Sequence, residues 1–200
     1  MKWRRVFIFF IGMIFWIGLL YGQSKFSRSW VFDVELGNWQ PQSLRDQVSF
    51  LEIQRKNTLA MVGIGMGMPV GRDVGLRVSS NFWVFSNVQN FYHVHSLSFH
   101  SVNVDLKHWL VPESWLSAYV LYGGSVYWGV ENQTTPFNSA LWKARPGWGL
   151  NLGAGFDVMA KKFFGMGMVF QYRFVRLNHL LAGTDDYSGP QIGFFLYYQL

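Results

Sequence analysis

The residues best able to do chemistry are three histidines and three serines that lie close together near the middle of the chain. Histidines two positions apart on a strand share a face, so they could bind a metal ion or activate a serine hydroxyl. Histidines in loops are, however, commonly solvated or interfacial. We therefore expect no metal ligands and no catalytic residues here. The group consists of His93, His95, His100, Ser96, Ser98 and Ser101.

Two further groups invite a chemical interpretation that the sequence does not sustain. Asp185 and Asp186, with His179 in the same segment, are typical of a solvated acidic turn. Gly63, Gly65 and Gly67 do not have the spacing of a dinucleotide-binding loop, and they lie inside a strand pattern instead of a strand-to-helix turn. We therefore expect no cofactor and no cofactor-binding residues.

The composition indicates what kind of surface must carry these residues. Aromatic residues make up 19% of the 200-residue chain, charged residues only 14%, and there are 21 glycines. A soluble domain usually has about 25% charged residues. Low charge without long apolar runs is typical of a membrane β-barrel, in which one face of each strand is apolar and the other is polar.

The N-terminal segment predicts secretion. Lys2, Arg4 and Arg5 precede the uncharged residues 6–21, which end at Gly22. A basic start, a short apolar core and a small residue at the cleavage point predict a signal peptide over residues 1–22 and a mature barrel domain over residues 23–200. Cleavage removes three basic residues and no acidic ones, so the net charge falls from +6 to +3. Half of the net positive charge then belongs to targeting, and we expect no nucleic-acid partner.

The rest of the chain shows apolar residues at every second position, which is the signature of β-strands. The clearest case is residues 163–176, where Phe164, Met166, Met168 and Phe170 alternate with glycine and polar residues. Eight strands of this kind fit an all-β, eight-stranded, antiparallel up-and-down transmembrane barrel. They are predicted over residues 30–37, 58–68, 73–85, 96–107, 115–128, 148–158, 163–176 and 190–200.

The connections alternate in length, as they do between periplasmic turns and extracellular loops. Short turns are predicted at residues 69–72, 108–114 and 159–162. Long loops are predicted at residues 38–57, 86–95, 129–147 and 177–189. An even number of strands places both ends of the barrel domain on the periplasmic side.

Seven tryptophans lie at or near predicted strand ends. Indole rings favour the headgroup region, so this spacing predicts aromatic girdles at both membrane interfaces. These residues are Trp30, Trp39, Trp83, Trp109, Trp115, Trp128 and Trp148.

The last strand carries the most specific pattern, an apolar or aromatic residue at alternate positions up to the final residue. It consists of Ile192, Phe194, Leu196, Tyr198 and Leu200. The pattern resembles the C-terminal signal that the barrel assembly machinery recognises, although the usual final residue is Phe. With the other features, the chain resembles the small eight-stranded outer-membrane barrels of the opacity-protein and outer-membrane-protein-A-like group.

This resemblance implies a charge network inside the barrel, because members of the group carry one. Buried charges are costly unless they pair, so we expect a structural plug in preference to a gated ion path. The candidate residues are Asp33, Glu35, Arg77, Asp105, Lys107, Asp157 and Arg173.

We therefore expect a non-enzymatic protein of the bacterial outer membrane, with a structural role or a binding role for its surface loops. The anchors are Trp142, Lys143 and Arg145, which could equally lie against lipopolysaccharide phosphates. The expected partners are outer-membrane lipid, lipopolysaccharide and the assembly machinery, and the surface ligand is left open. Two alternatives remain: a narrow pore, and an envelope-lipid-modifying enzyme using a His/Ser pair such as His95 and Ser98.

Overall fold

The computed structural model describes residues 30–44, 60–71, 73–90, 93–110, 116–135, 137–159 and 163–200. Nearly all of them lie in β-strands, which confirms the predicted all-β class. The predicted signal peptide and most of the loop predicted at residues 38–57 lie outside the described residues. No helix in the described ranges is long and apolar enough to span a membrane. The strands are β1 Val31–Trp39, β2 Ala60–Pro69, β3 Val74–Asn90, β4 His93–Trp109, β5 Leu116–Thr134, β6 Ser139–Lys143, β7 Gly147–Met159, β8 Phe164–Leu181, β9 Thr184–Asp186 and β10 Gly189–Gln199.

Eight of these strands form a closed antiparallel ring. Each pairs with its neighbour along the chain, in the order β1-β2-β3-β4-β5-β7-β8-β10. The ring closes where β10 pairs with β1, from Val31 opposite Gln199 to Trp39 opposite Gln191. The predicted up-and-down barrel is confirmed. The two short strands add to one end of it: β6 pairs with β5, and β9 pairs with β8.

The alternation seen in the sequence becomes an inside and an outside. Along β10, buried and exposed residues alternate without a break, because successive side chains of a strand point to opposite faces. The five apolar residues of the C-terminal pattern all face outward; Leu196, for example, is 64% exposed. A continuous apolar outer wall suits a lipid environment.

The strands extend further than predicted at the end of the barrel where the long loops were expected, which we call the loop end. The opposite end, with the short turns, is the turn end. β3 and β4 continue as a hairpin to Asn90 and His93, with one irregularity near Val88, so the long loop predicted at 86–95 is wrong. β5–β6 and β8–β9 likewise replace most of the loops predicted at 129–147 and 177–189. Above a membrane both faces of a strand can be polar, so a search for alternating apolar residues ends the strand too early.

The tryptophans divide between the two faces, so the girdle prediction is only partly right. Trp30, Trp128 and Trp148 are exposed on the outer wall, and Trp115 lies outside the described residues. The prediction is wrong for Trp39, Trp83 and Trp109, which are buried inside the barrel. Each lies an even number of residues from an inward polar residue of its own strand, and this spacing places its ring inside.

Candidate functional site

The strongest polar cluster of the interior is centred on Arg77 of β3. Its guanidinium donates to both carboxylate oxygens of Asp33: Nε lies 3.0 Å from Oδ2, and Nη2 lies 2.6 Å from Oδ1. Nη2 also donates to Glu35 at 3.0 Å, and Glu35 accepts a further bond from Gln191 at 2.7 Å. Both carboxylates come from β1, and all these side chains are buried. The two-pronged contact is the strong form of a buried ion pair, and it cross-links strands that are not neighbours.

A second ion pair lies nearer the turn end. Lys107 Nζ is 2.5 Å from Asp157 Oδ2, and the indole N–H of Trp109 donates to the same oxygen at 3.2 Å. The ammonium also lies 3.8 Å from the ring centre of Tyr119, a cation–π contact. Aromatic rings therefore shield this pair at the turn end of the barrel.

Asp105 and Arg173 are buried as well, but neutral groups bind them. Asp105 accepts from the amide of Asn151 at 2.9 Å, and Arg173 donates to the hydroxyl of Tyr127 at 3.1 Å. The described residues include no ion pair for either side chain. The structure thus places all seven charged residues named from the sequence inside the barrel, and joins five of them in two ion-paired groups.

Sequence reasoning missed the neutral polar residues of the same layer. They alternate on the same strand faces as the charged residues, so the spacing that located the charges would also have found them. They include Ser79, Asn81, Asn103, Ser125, Asn151, Gln171 and Gln191, all buried.

At the loop end the interior is filled by an aromatic plug, which we define as Trp39, Trp83, Phe99, Tyr127 and Tyr187. The ring centre of Trp39 lies 5.2 Å from that of Trp83, 5.7 Å from Phe99 and 5.8 Å from Tyr127. Phe99 and Tyr187 are 4.7 Å apart. All five are at most 2% exposed, so the plug closes this end of the lumen with close-packed rings.

The turn end has a smaller aromatic cluster and a cavity of about 50 Å³. Trp109, Tyr119, Phe195 and Tyr197 form its apolar walls, and Lys107 with Asp157 forms part of its polar lining. One water needs roughly 10–15 Å³ of such space, so the cavity has room for a few waters.

The histidine and serine group does not form one site. His95 points toward the interior, where its Nε2 is 2.9 Å from Oε1 of Glu131. His100 lies on the outer wall, where its Nε2 is 2.9 Å from Oγ of Ser80 on β3. The side chain of His93 lies outside the described residues, and the described part of the chain contains no cluster of three metal-ligating side chains.

Glu131 instead connects the strands at the barrel mouth. Besides His95, it accepts from the amide of Gln133 at 2.9 Å and from the backbone N–H of Ala182 at 2.6 Å. Ala182 and Gly183 form the β8–β9 turn with positive φ angles of 48° and 79°. The carboxylate therefore holds the β8–β9 hairpin over the plug.

The acidic pair near the C-terminus is part of this hairpin. Asp185 lies 3.4 Å from Arg176 in an exposed ion pair. Asp186 accepts from the backbone N–H of Ser188 at 2.9 Å, and hydrogen bonds from Ser188 lower the pKa of Asp186. Within the described part of the chain, neither acid forms a hydrogen bond or ion pair with His179. These bonds stabilise a turn, as expected from the sequence.

The proposed surface anchors lie at the loop end. Trp142 and Lys143 belong to β6 and Arg145 follows it, and all three side chains are exposed. Leu141 on the same strand is also exposed. The β5–β6 hairpin thus presents cationic and apolar groups to the outside.

Comparison with known proteins supports the fold. Neisserial surface protein A (NspA) matches with a TM-score of 0.61 at 8% identity, over 86% of this chain and 97% of that one. The N-terminal barrel domain of Pseudomonas aeruginosa OprF matches with a TM-score of 0.53 at 12% identity, over 90% of this chain and 100% of that one. Ail of Yersinia pestis, in complex with the heparin analogue sucrose octasulfate, matches with a TM-score of 0.52 at 13% identity, over 86% of this chain and 97% of that one.

No protein-family model matches the sequence, and no curated protein matches it. None of the three similar structures is named for an enzymatic activity. The ring of eight strands and these neighbours agree, so the chain has the fold of the small eight-stranded outer-membrane β-barrels.

Proposed function

We propose that this chain is a non-conducting barrel of the bacterial outer membrane that acts through its loop-end surface and stabilises the envelope. The aromatic plug is the observation that carries the proposal. An interior closed by packed rings and held by paired charges is a rigid support, which leaves the outer surface as the working part. The apolar outer wall and the predicted signal peptide support the outer-membrane location.

The competing function is a narrow pore, and conductance distinguishes the two. An ion path would require two changes at the same time: the ion pairs of the Arg77 network would have to separate, and the aromatic plug would have to move. We expect the refolded barrel to show no unitary conductance in planar bilayers. Trp39→Ala, which removes the central ring of the plug, is the matched variant and should admit current more readily. Stable unitary currents from the unmodified barrel would overturn the proposal.

The loop-end ligand that the structure favours is a polyanionic saccharide carrying sulfate or phosphate groups. Lys143 and Arg145 supply two exposed cations, and Trp142 beside them offers a flat apolar surface for a sugar ring. Arg176 at the same end is also exposed, but its ion pair with Asp185 offsets its charge. The similar structure of Ail contains a sulfated saccharide, which supports this ligand class.

Binding of fluorescently labelled heparin oligosaccharide tests this ligand class. A basic group near an anionic surface contributes about 1 kcal/mol, so Lys143→Gln with Arg145→Gln should weaken binding roughly 30-fold. The control is Lys161→Gln with Lys162→Gln, which removes the same charge from the stretch of sequence between β7 and β8. Equal losses in both pairs would show attraction to net charge and contradict a loop-end site.

A further inference from the structure

The outer wall carries a hydrogen-bonded serine–histidine pair among mostly apolar side chains. Ser80 of β3 and His100 of β4 both face outward, and Oγ of Ser80 is 2.9 Å from Nε2 of His100. They are diagonal neighbours, since Ser80 is in register with Val102 and His100 with Phe82. The serine can donate to the ring when the imidazole proton is on Nδ1.

The position of the pair defines what can reach it. His100 is also in register with Trp128, and the two ring centres are 5.6 Å apart. Trp128 is exposed on the loop half of the wall, where an interfacial girdle forms. A molecule reaches this pair from the outer leaflet and not from the lumen.

We propose that Ser80 and His100 are a nucleophile and its general base, and that they hydrolyse acyl esters of lipids in the outer leaflet. A nucleophile and a base within hydrogen-bond reach are the minimum requirement for this chemistry. Polar groups on a lipid-facing wall are otherwise a cost. This activity departs from the non-enzymatic function expected from the sequence, and it does not depend on polyanion binding.

The reaction balances with water as the only co-reactant. Ser80 Oγ attacks the ester carbonyl while its proton passes to Nε2 of His100. The C–O bond to the alcohol then breaks, and the alcohol leaves with that proton. Water, deprotonated by the same nitrogen, releases the acyl group from Ser80 as a fatty acid and restores the hydroxyl.

The substrate class follows from the surroundings of the pair. Phe82 and Val102 flank it with apolar surface that suits an acyl chain, and the interfacial position suits the ester bond at the end of that chain. Either a glycerophospholipid or an acylated saccharide lipid supplies such an ester. Among the described residues no carboxylate forms an ion pair with His100. Loss of the orienting acid costs about 10⁴-fold in other triads, so we expect slow turnover.

Covalent labelling with a fluorophosphonate tests the nucleophile independently of the substrate. The refolded barrel in detergent should be labelled at Ser80, and Ser80→Ala and His100→Asn should each reduce labelling at least 10-fold. Ser98→Ala is the control, because Ser98 faces outward two residues along β4 but is in register with Val84 and Val130. Heat-dependent gel migration verifies that each variant is folded. Absence of label on the unmodified barrel, or undiminished label on Ser80→Ala, overturns the proposal.

Release of fatty acid identifies the source of the ester. The barrel is incubated overnight at stoichiometric concentration with phosphatidylethanolamine vesicles in one arm and with lipopolysaccharide in the other. We expect fatty acid in at least one arm, and loss of that release in Ser80→Ala. No release above the Ser80→Ala background in either arm contradicts the assigned activity.

Discussion

Replacing Arg77 by methionine tests whether the interior network is held by charge compensation. Arg77 is the cation bound to both Asp33 and Glu35, with three hydrogen bonds of 2.6 to 3.0 Å. Methionine keeps an unbranched apolar side chain but has no charge and no hydrogen-bond donor. The variant leaves two carboxylates buried on adjacent inward positions of β1. Among the described residues, Glu35 keeps Gln191 and Asn81 as donors, whereas Asp33 loses both of its hydrogen bonds.

The magnitude follows from the cost of an uncompensated buried charge. Removing one partner of a buried ion pair typically costs about 3–5 kcal/mol, and here one cation serves two carboxylates. We expect Arg77→Met to lose about 3–5 kcal/mol of unfolding free energy. Adding Asp33→Asn and Glu35→Gln to it removes the stranded charges and leaves unpaired amides, which cost about 1–3 kcal/mol. The triple variant should therefore regain about 2 kcal/mol.

Equilibrium urea unfolding in detergent micelles, followed by tryptophan fluorescence, measures both differences. The order of stability should be the unmodified barrel first, the triple variant second and Arg77→Met last. A loss below about 1 kcal/mol for Arg77→Met would refute the reasoning, because two buried carboxylates would then be tolerated without their cation. A triple variant no more stable than Arg77→Met would show that lost packing, and not charge, is the cause.

Two further predictions concern space inside the barrel and closure of its mouth. A Cβ on Gly123 would lie 2.6 Å from Cα of Asp105, whereas the nearest atom to a Cβ on Gly67 is 3.7 Å away. Gly123→Ala should therefore cost about 1–3 kcal/mol and Gly67→Ala almost nothing in the same urea assay; equal effects would contradict the packing. Glu131→Ala leaves the backbone N–H of Ala182 without its acceptor, so limited proteolysis should cut the β8–β9 hairpin several-fold faster, and an unchanged cleavage rate would show that Glu131 does not hold it.

The barrel was predictable from the sequence because the outer and inner faces of its wall meet different surroundings. Lipid outside and packed side chains inside impose a period of two on every spanning strand, and the strand β10 shows it from Gly189 to Gln199. The same period located all seven inward charges. This period could not predict how far β3 and β4 extend beyond the membrane. There both faces of a strand meet water, so nothing requires apolar and polar residues to alternate.

The tryptophans show a second limit of prediction from sequence. Nearness to a strand end does not determine whether a tryptophan points into the barrel or out of it. Trp83 and Trp148 both lie toward the loop end, yet the first is 2% exposed and the second 56%. Trp83 is an even number of residues from Arg77 on β3 and therefore points inward. An indole ring suits an interface, but the face of the strand determines which surroundings it meets.

Ion-pair partners were harder to predict than inward positions, and the glycines of β2 explain why. The register partners of Arg77 are Gly67 on β2 and Asp105 on β4. Nearest-neighbour reasoning would therefore pair Arg77 with Asp105, yet it binds Asp33 on β1, two strands away. Because Gly65 carries no side chain, the guanidinium passes over β2 to reach β1. A Cβ on Gly65 would lie 2.7 Å from Oδ2 of Asp33, so a side chain there would occupy the space in which the carboxylate meets Arg77. In a barrel this narrow, the residues without side chains decide which charges can pair.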